Sequence, residues 1–146
     1  MFSYILISKP SFDIKEKEID NIFESISNNI QKKQNGTLNI VFLDDDSIQN
    51  LNKKYRNIDK TTDVLSFHYF DDFRELKKED TAWEIILSET KIISQGKEYW
   101  LWSEWEFYKL IIHSVLHILW YDHENDEDYI EMKKLEEKIH KEVFEK

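Results

Sequence analysis

The chain has 146 residues, with 20 Lys and Arg against 30 Asp and Glu, a net charge of −10 and no cysteine. That length suits one hydrophobic core and one domain. A disulfide scaffold, an iron–sulfur cluster and a thiolate zinc site are excluded, so any metal must be held by nitrogen and oxygen. The acidic balance argues against indiscriminate binding to nucleic acid, while leaving room for a local basic patch.

The first residues, MFSYILISKP, carry a short apolar run with no basic region ahead of it, which reads as a strand over Phe2–Ile7 rather than a secretory signal. No stretch approaches the roughly 18 consecutive apolar residues of a membrane span, so a soluble, cytoplasmic protein is expected. From Asp13, the apolar positions Ile14, Ile19, Ile22, Phe23, Ile26 and Ile30 fall at helical spacing, with Lys32 and Lys33 at the end and Gly36 as terminator. Thr37–Leu43 is a second strand, closed by three aspartates. Ser47–Tyr55 follows as a short helix, Arg56–Asp63 as a polar stretch, Val64–Phe70 as a third strand, Asp71–Asp80 as a charged loop and Trp83–Leu87 as a fourth strand.

Ser88 to about Gln95 predicts a helix ended by Gly96. Ser103 and Glu106 match an S-x-x-E capping box opening a long apolar helix. Asn125–Phe144 is a final amphipathic helix with Tyr129, Met132, Leu135, Ile139 and Val143 on one stripe. This order of elements implies mixed α/β or α+β with one sheet.

Three of the five histidines, His113, His117 and His123, fall within eleven residues. Residues four apart on a helix share a face, about 5–6 Å apart at Cβ, so two imidazoles can bite one ion. His123 would have to arrive from a turn beyond the helix. Three nitrogens leave a coordination position open, as in catalytic rather than structural zinc sites, and a His₃ set suits Zn²⁺, though Ni²⁺ or Cu²⁺ would also bind. A lone histidine on an apolar face is usually a hydrogen-bonded core residue; three at this spacing are harder to explain that way. His68 lacks such a setting, and His140 is expected on the solvated surface. The H-x₃-H-x₅-H spacing also occurs in metallopeptidases, where a glutamate follows the first histidine as general base. Ser114 stands there instead, and a serine does not accept a proton at neutral pH, so peptide hydrolysis by that route is not expected.

The stretch His113–His123 resembles the H-G-x-L-H-L-x-G-Y-D-H signature of the YbeY endoribonucleases. A separate block is similar to that family's other hallmark: Leu51-Asn52-x-x-Tyr55-Arg56-x-x-Asp59-x-x-Thr62-Asp63-Val64-Leu65-Ser66-Phe67. Glu104, Glu106, Met132 and Glu136 fit more loosely, and the likeness spans roughly residues 40 to 140. The resemblance implies a single α+β domain with a small mixed four-stranded sheet, about five helices and a zincin-like metal helix. It implies one Zn²⁺ per chain on His113, His117 and His123, with Arg56 as the cleft arginine needed for activity. It also implies cleavage of single-stranded RNA in small-subunit ribosomal RNA maturation and quality control, with ribosome-assembly proteins as further partners and no membrane.

Chemistry agrees with the arginine's role. Phosphodiester cleavage builds charge on non-bridging oxygens, and a planar guanidinium can hold two of them. Arg56 ends the basic run Lys53-Lys54-Tyr55-Arg56, with Lys60 beyond it. Asp122 either orients a ligand imidazole or caps the turn. The chain departs from the family pattern at Ser114 and Trp120, each in place of glycine, at His68 and Thr61, each in place of proline, and at Trp83-Glu84 in place of Gly-Asp. Those changes touch the cleft more than the ligands. They keep a second expectation open, a non-catalytic ribosome-assembly factor with a structural metal.

Overall fold

In the computed structural model, residues 3–30, 36–68, 81–99, 102–120 and 126–145 are described. The elements run β1 Ser3–Leu6, α1 Glu16–Asn29, β2 Thr37–Leu43, α2 Asp45–Arg56, β3 Val64–His68, β4 Thr81–Ser88, α3 Glu89–Glu98, α4 Ser103–Trp120 and α5 Asp126–Phe144. The sheet order is β1-β2-β4-β3, with β1, β2 and β4 parallel and β3 antiparallel to β4. The expected α+β domain, with its four-stranded mixed sheet and five helices among the described residues, is what forms. None of those helices is long and apolar enough to cross a membrane.

Strand alternation sorts the side chains into two layers. Leu38 and Ile40 of β2, and Ile85 and Leu87 of β4, join the main core with Ile19, Ile22, Phe23 and Ile26 of α1. Ile86 and Leu65 point the other way and close over Ile48 of α2, with Val41, Leu43, Leu51 and Phe67 around them. The main core holds α4. Phe107, Tyr108, Ile111, Ile112, Val115, Leu116, Ile118 and Leu119 are all buried, as a helix apolar on nearly every side requires. Met132, Ile139 and Val143 press α5 against the same core, and the Tyr108 hydroxyl accepts a 2.8 Å hydrogen bond from the Lys15 backbone at the head of α1.

Several boundaries differ from the sequence reading. Asp44 caps α2 by accepting from the Ser47 N–H at 2.8 Å, so that helix starts at Asp45 rather than Ser47. Arg56 is its last residue instead of the first of a polar loop. The chain leaves through Asn57 in the left-handed region (φ 58°), with Asn57 N–H on the Lys53 carbonyl and Ile58 N–H on that of Asn52. Gly96 does not end α3; it is buried inside it, where the missing side chain gives room for close packing. The Ser103–Glu106 capping box is not what opens α4. The Trp102 carbonyl accepts from the N–H groups of Trp105 and Glu106, and the Glu106 side chain turns into the interior. α1 begins at Glu16 rather than Asp13, and β4 begins at Thr81 rather than Trp83.

Candidate metal and RNA site

Along α4, positions 106, 113 and 117 share one face. Glu106 is buried, whereas His113 and His117 are the half-exposed residues of the otherwise buried segment Leu110–Leu119. Their rings stack with centroids 6.2 Å apart and planes 8° from parallel. That lies within the span of one ion bonded to both rings at about 2.0–2.1 Å. From α5, one turn beyond buried Met132, the Glu136 carboxylate Oε1 meets Nδ1 of His113. A carboxylate at Nδ1 keeps the proton there and leaves Nε2 as the lone-pair nitrogen, the form a metal ligand needs. Among the described residues no group of three or more His, Asp or Glu is gathered around one point. His123 and Asp122 lie outside the described residues, as do the side chains of His68 and Trp120.

Arg56 stands at the other element of the candidate site. Its Nη2 donates to the Ser66 carbonyl of β3 at 2.9 Å, and α4 packs against that same strand. The polar residues of the hallmark block hold this corner together. Buried Asn52 donates from Nδ2 to the Lys60 carbonyl at 2.9 Å, and Gln49 reaches Asp59 at 3.0 Å. The Asp63 carbonyl accepts from Ser88 N–H at 2.9 Å, while Ser88 Oγ lies 2.5 Å from Asp45 Oδ1 and accepts from Lys91 N–H. The basic run is partly neutralised, since Lys53 sits 3.9 Å from Asp59.

The altered positions settle individually. Ser114 is buried on α4. Trp83 fills the main core at 6% exposure, and Glu84 lies beside it on β4. His140, expected on the surface, is half-buried with its ring 5.1 Å from that of Phe144.

Residues 6–143 match the family model described as Endoribonuclease YbeY. The chain belongs to the YbeY family. It is 34% identical over 139 residues to the Endoribonuclease YbeY of Caldicellulosiruptor saccharolyticus, covering 88% of each protein. It is 32% identical to that of Neorickettsia sennetsu over 95% of each, and 39% identical to that of Clostridioides difficile over 72% of this chain and 70% of the relative. The fold also aligns with the solution structure of a Thermotoga maritima protein at TM-score 0.62 and 25% identity, covering 99% of this chain and 90% of that one. The described residues of the YbeY motifs therefore sit where the geometry gathers polar chemistry, at the β3 edge and on the half-exposed face of α4.

From the sequence Glu136 enters only as a looser part of the family likeness, with no role at the site. A signal was available: it lies four residues after Met132 and three before Ile139, so a carboxylate interrupts the apolar stripe of α5.

Proposed function

We propose that this YbeY-family chain is a zinc-dependent endoribonuclease that cleaves single-stranded RNA. Its substrates would be precursors of small-subunit ribosomal RNA, in maturation and ribosome quality control, and its place the cytoplasm. One Zn²⁺ would be held by His113, His117 and His123. The observation that carries this reading is the half-exposed pair of parallel imidazoles one turn apart on α4, the first backed at Nδ1 by Glu136. With no cysteine in the chain, nitrogen donors are the fitting set for zinc.

The residues divide the work. Glu136 fixes the tautomer and orientation of His113, so that its Nε2 is directed outward. Bound there, the ion would supply Lewis acidity to an oxygen of the scissile phosphate or of its attacker. Arg56 uses Nη2 on the Ser66 carbonyl, which holds the guanidinium at the strand edge with other N–H donors directed elsewhere. Those donors suit the non-bridging oxygens on which negative charge grows. Ser114, buried and without a carboxylate, gives no general base for peptide hydrolysis.

Metal analysis of the wild type and His117→Ala, paired with cleavage of a single-stranded RNA, tests the proposal. About one zinc per wild-type chain, a much lower content in the variant and loss of nicking with it are expected. Intact RNA after incubation with metal-loaded protein, together with normal rRNA ends in a strain lacking it, would overturn the assignment in favour of a non-catalytic assembly factor.

A further inference from the structure

Tyr55 is the penultimate residue of α2, on the face turned toward the sheet, yet it is 60% exposed. Phe67 of β3 meets it in a T-shaped contact, with centroids 5.5 Å apart and planes at 68°. The Lys54 ammonium lies 5.2 Å from the Tyr55 ring centre, and Arg56 follows directly on the Ser66 carbonyl. Three cations within four residues flank an exposed ring in a chain of net charge −10. A tyrosine serving only the small core beneath α2 would sit where Ile48 and Leu65 do, out of water.

The edge of β3 decides between kinds of partner. Because Ser88 N–H bonds to the Asp63 carbonyl, and antiparallel pairs alternate, Leu65 and Phe67 bond inward to β4. Val64, Ser66 and His68 therefore direct their backbone groups outward, along the side where, among the described residues, β3 has no neighbouring strand. An added protein strand would need the Ser66 carbonyl for its ladder, and Arg56 already occupies it. What remains at this corner is a π-face with cations beside it, the combination that takes an unpaired base together with its phosphates.

We propose that Tyr55, braced by Phe67, is a stacking platform for one unpaired base of the RNA strand, with Lys54 and Arg56 on the adjoining phosphates. Lys54 would move from the ring to the backbone as the base arrives. The surface thereby selects single strands, since a paired base has no face to offer. The inference rests on the endoribonuclease reading but not on the metal.

Binding is measured by fluorescence anisotropy, with the strands checked on a gel to be intact after each titration, using a single-stranded RNA, its duplex and a set of strands each carrying one abasic position. Tyr55→Phe should bind like wild type. Tyr55→Leu, which keeps apolar packing against Phe67, should bind the single strand roughly 5- to 150-fold more weakly, the range for one lost base–aromatic stack. Its duplex binding should not change. One abasic position should weaken the wild type and leave Tyr55→Leu indifferent, a coupling that mere misfolding would not produce. Equal losses on single strand and duplex, or no loss on either, would overturn the platform while the endoribonuclease reading stood. A Tyr55→Leu variant that bound RNA normally but lost association with intact small subunits would also overturn it, assigning the surface to a protein. A wild type that bound no RNA would remove both readings together.

Discussion

Nδ1 of His113 on α4 and Oε1 of Glu136 on α5 are joined by a hydrogen bond that spans 23 positions of sequence and two helices. His113 is the more exposed of the two, at 45% against 23% for the glutamate side chain, so the contact lies at the mouth of the site rather than in the core. Were Nε2 of His113 to bind zinc as proposed, a carboxylate on the opposite ring nitrogen is the arrangement that would raise the basicity of the ligand imidazole. Glu136→Ala should weaken zinc binding by roughly 10- to 100-fold. Glu136→Gln, which keeps an oxygen acceptor, should recover most of that loss. Competition against a chromophoric chelator reads both without reference to activity, and ring-nitrogen NMR should show the Nδ1–H tautomer of His113 surviving only in the Gln variant.

Arg56 makes a second, separable claim. A guanidinium anchored on the Ser66 carbonyl can present a planar pair of donors, whereas an ammonium presents a point charge. Arg56→Lys should therefore lower kcat on single-stranded RNA by roughly 10²- to 10³-fold, as loss of one aligned transition-state donor does. Zinc content should be unchanged, because Arg56 belongs to α2 and the β3 edge and not to the α4–α5 helix pair. A variant that cleaved at the wild-type rate would show that the arginine only latches the strand.

The sequence made the architecture legible where period and burial coincide. β2 and α4 are examples, since each is apolar in a way only one environment accepts. It misled where a residue could serve locally or globally. Glu106 three residues after Ser103 satisfies the spacing of a capping box, but the same residue lies on the buried face of α4, and burial beside Gln95 won over the local contact. Gly96 reads as a terminator because glycine often ends helices; here the tight packing of α3 uses its missing side chain instead. Glu136 was hard to see because its partner is distant in sequence, and long-range pairing leaves no periodic trace beyond one carboxylate in an apolar stripe.

Ser88 joins three elements at the opposite end of the sheet from the chain's first strand contacts. Its hydroxyl caps α3 by accepting from Lys91 N–H at 3.1 Å and lies 2.5 Å from Asp45 at the head of α2, while its backbone N–H holds Asp63 ahead of β3. Ser88→Ala keeps the backbone bond but removes both hydroxyl contacts at a site 1% exposed. The loss should be about 1–2 kcal/mol, near the upper end for a helix cap, because the half-buried Asp45 carboxylate loses a donor as well. Urea unfolding with an unchanged m-value would check it, and a midpoint indistinguishable from wild type would refute it.

Glu106 gives the fold a pH dependence of unusual sign for a carboxylate. Only 2% of it is exposed, and burial holds its carboxyl above the ordinary range, with Asp63 pushing the same way and Lys109, 3.8 Å off, opposing. With its amide nitrogen turned toward the two carboxylates, Gln95 bridges Glu106 at 3.1 Å and Asp63 at 3.2 Å. A group whose folded pKa is raised stabilises the native state fully below its unfolded value, and that contribution is lost as pH rises through the folded value. Glu106→Gln keeps the hydrogen-bonding shape and removes the charge. The variant should therefore melt above wild type at pH 7–8, and the gap should close as pH falls below about 4, where the carboxyl becomes largely protonated in both states. Thermal melts across that range decide the matter. A Gln variant that melts lower than wild type at neutral pH would mean that the Lys109 contact outweighs the cost of burying the charge.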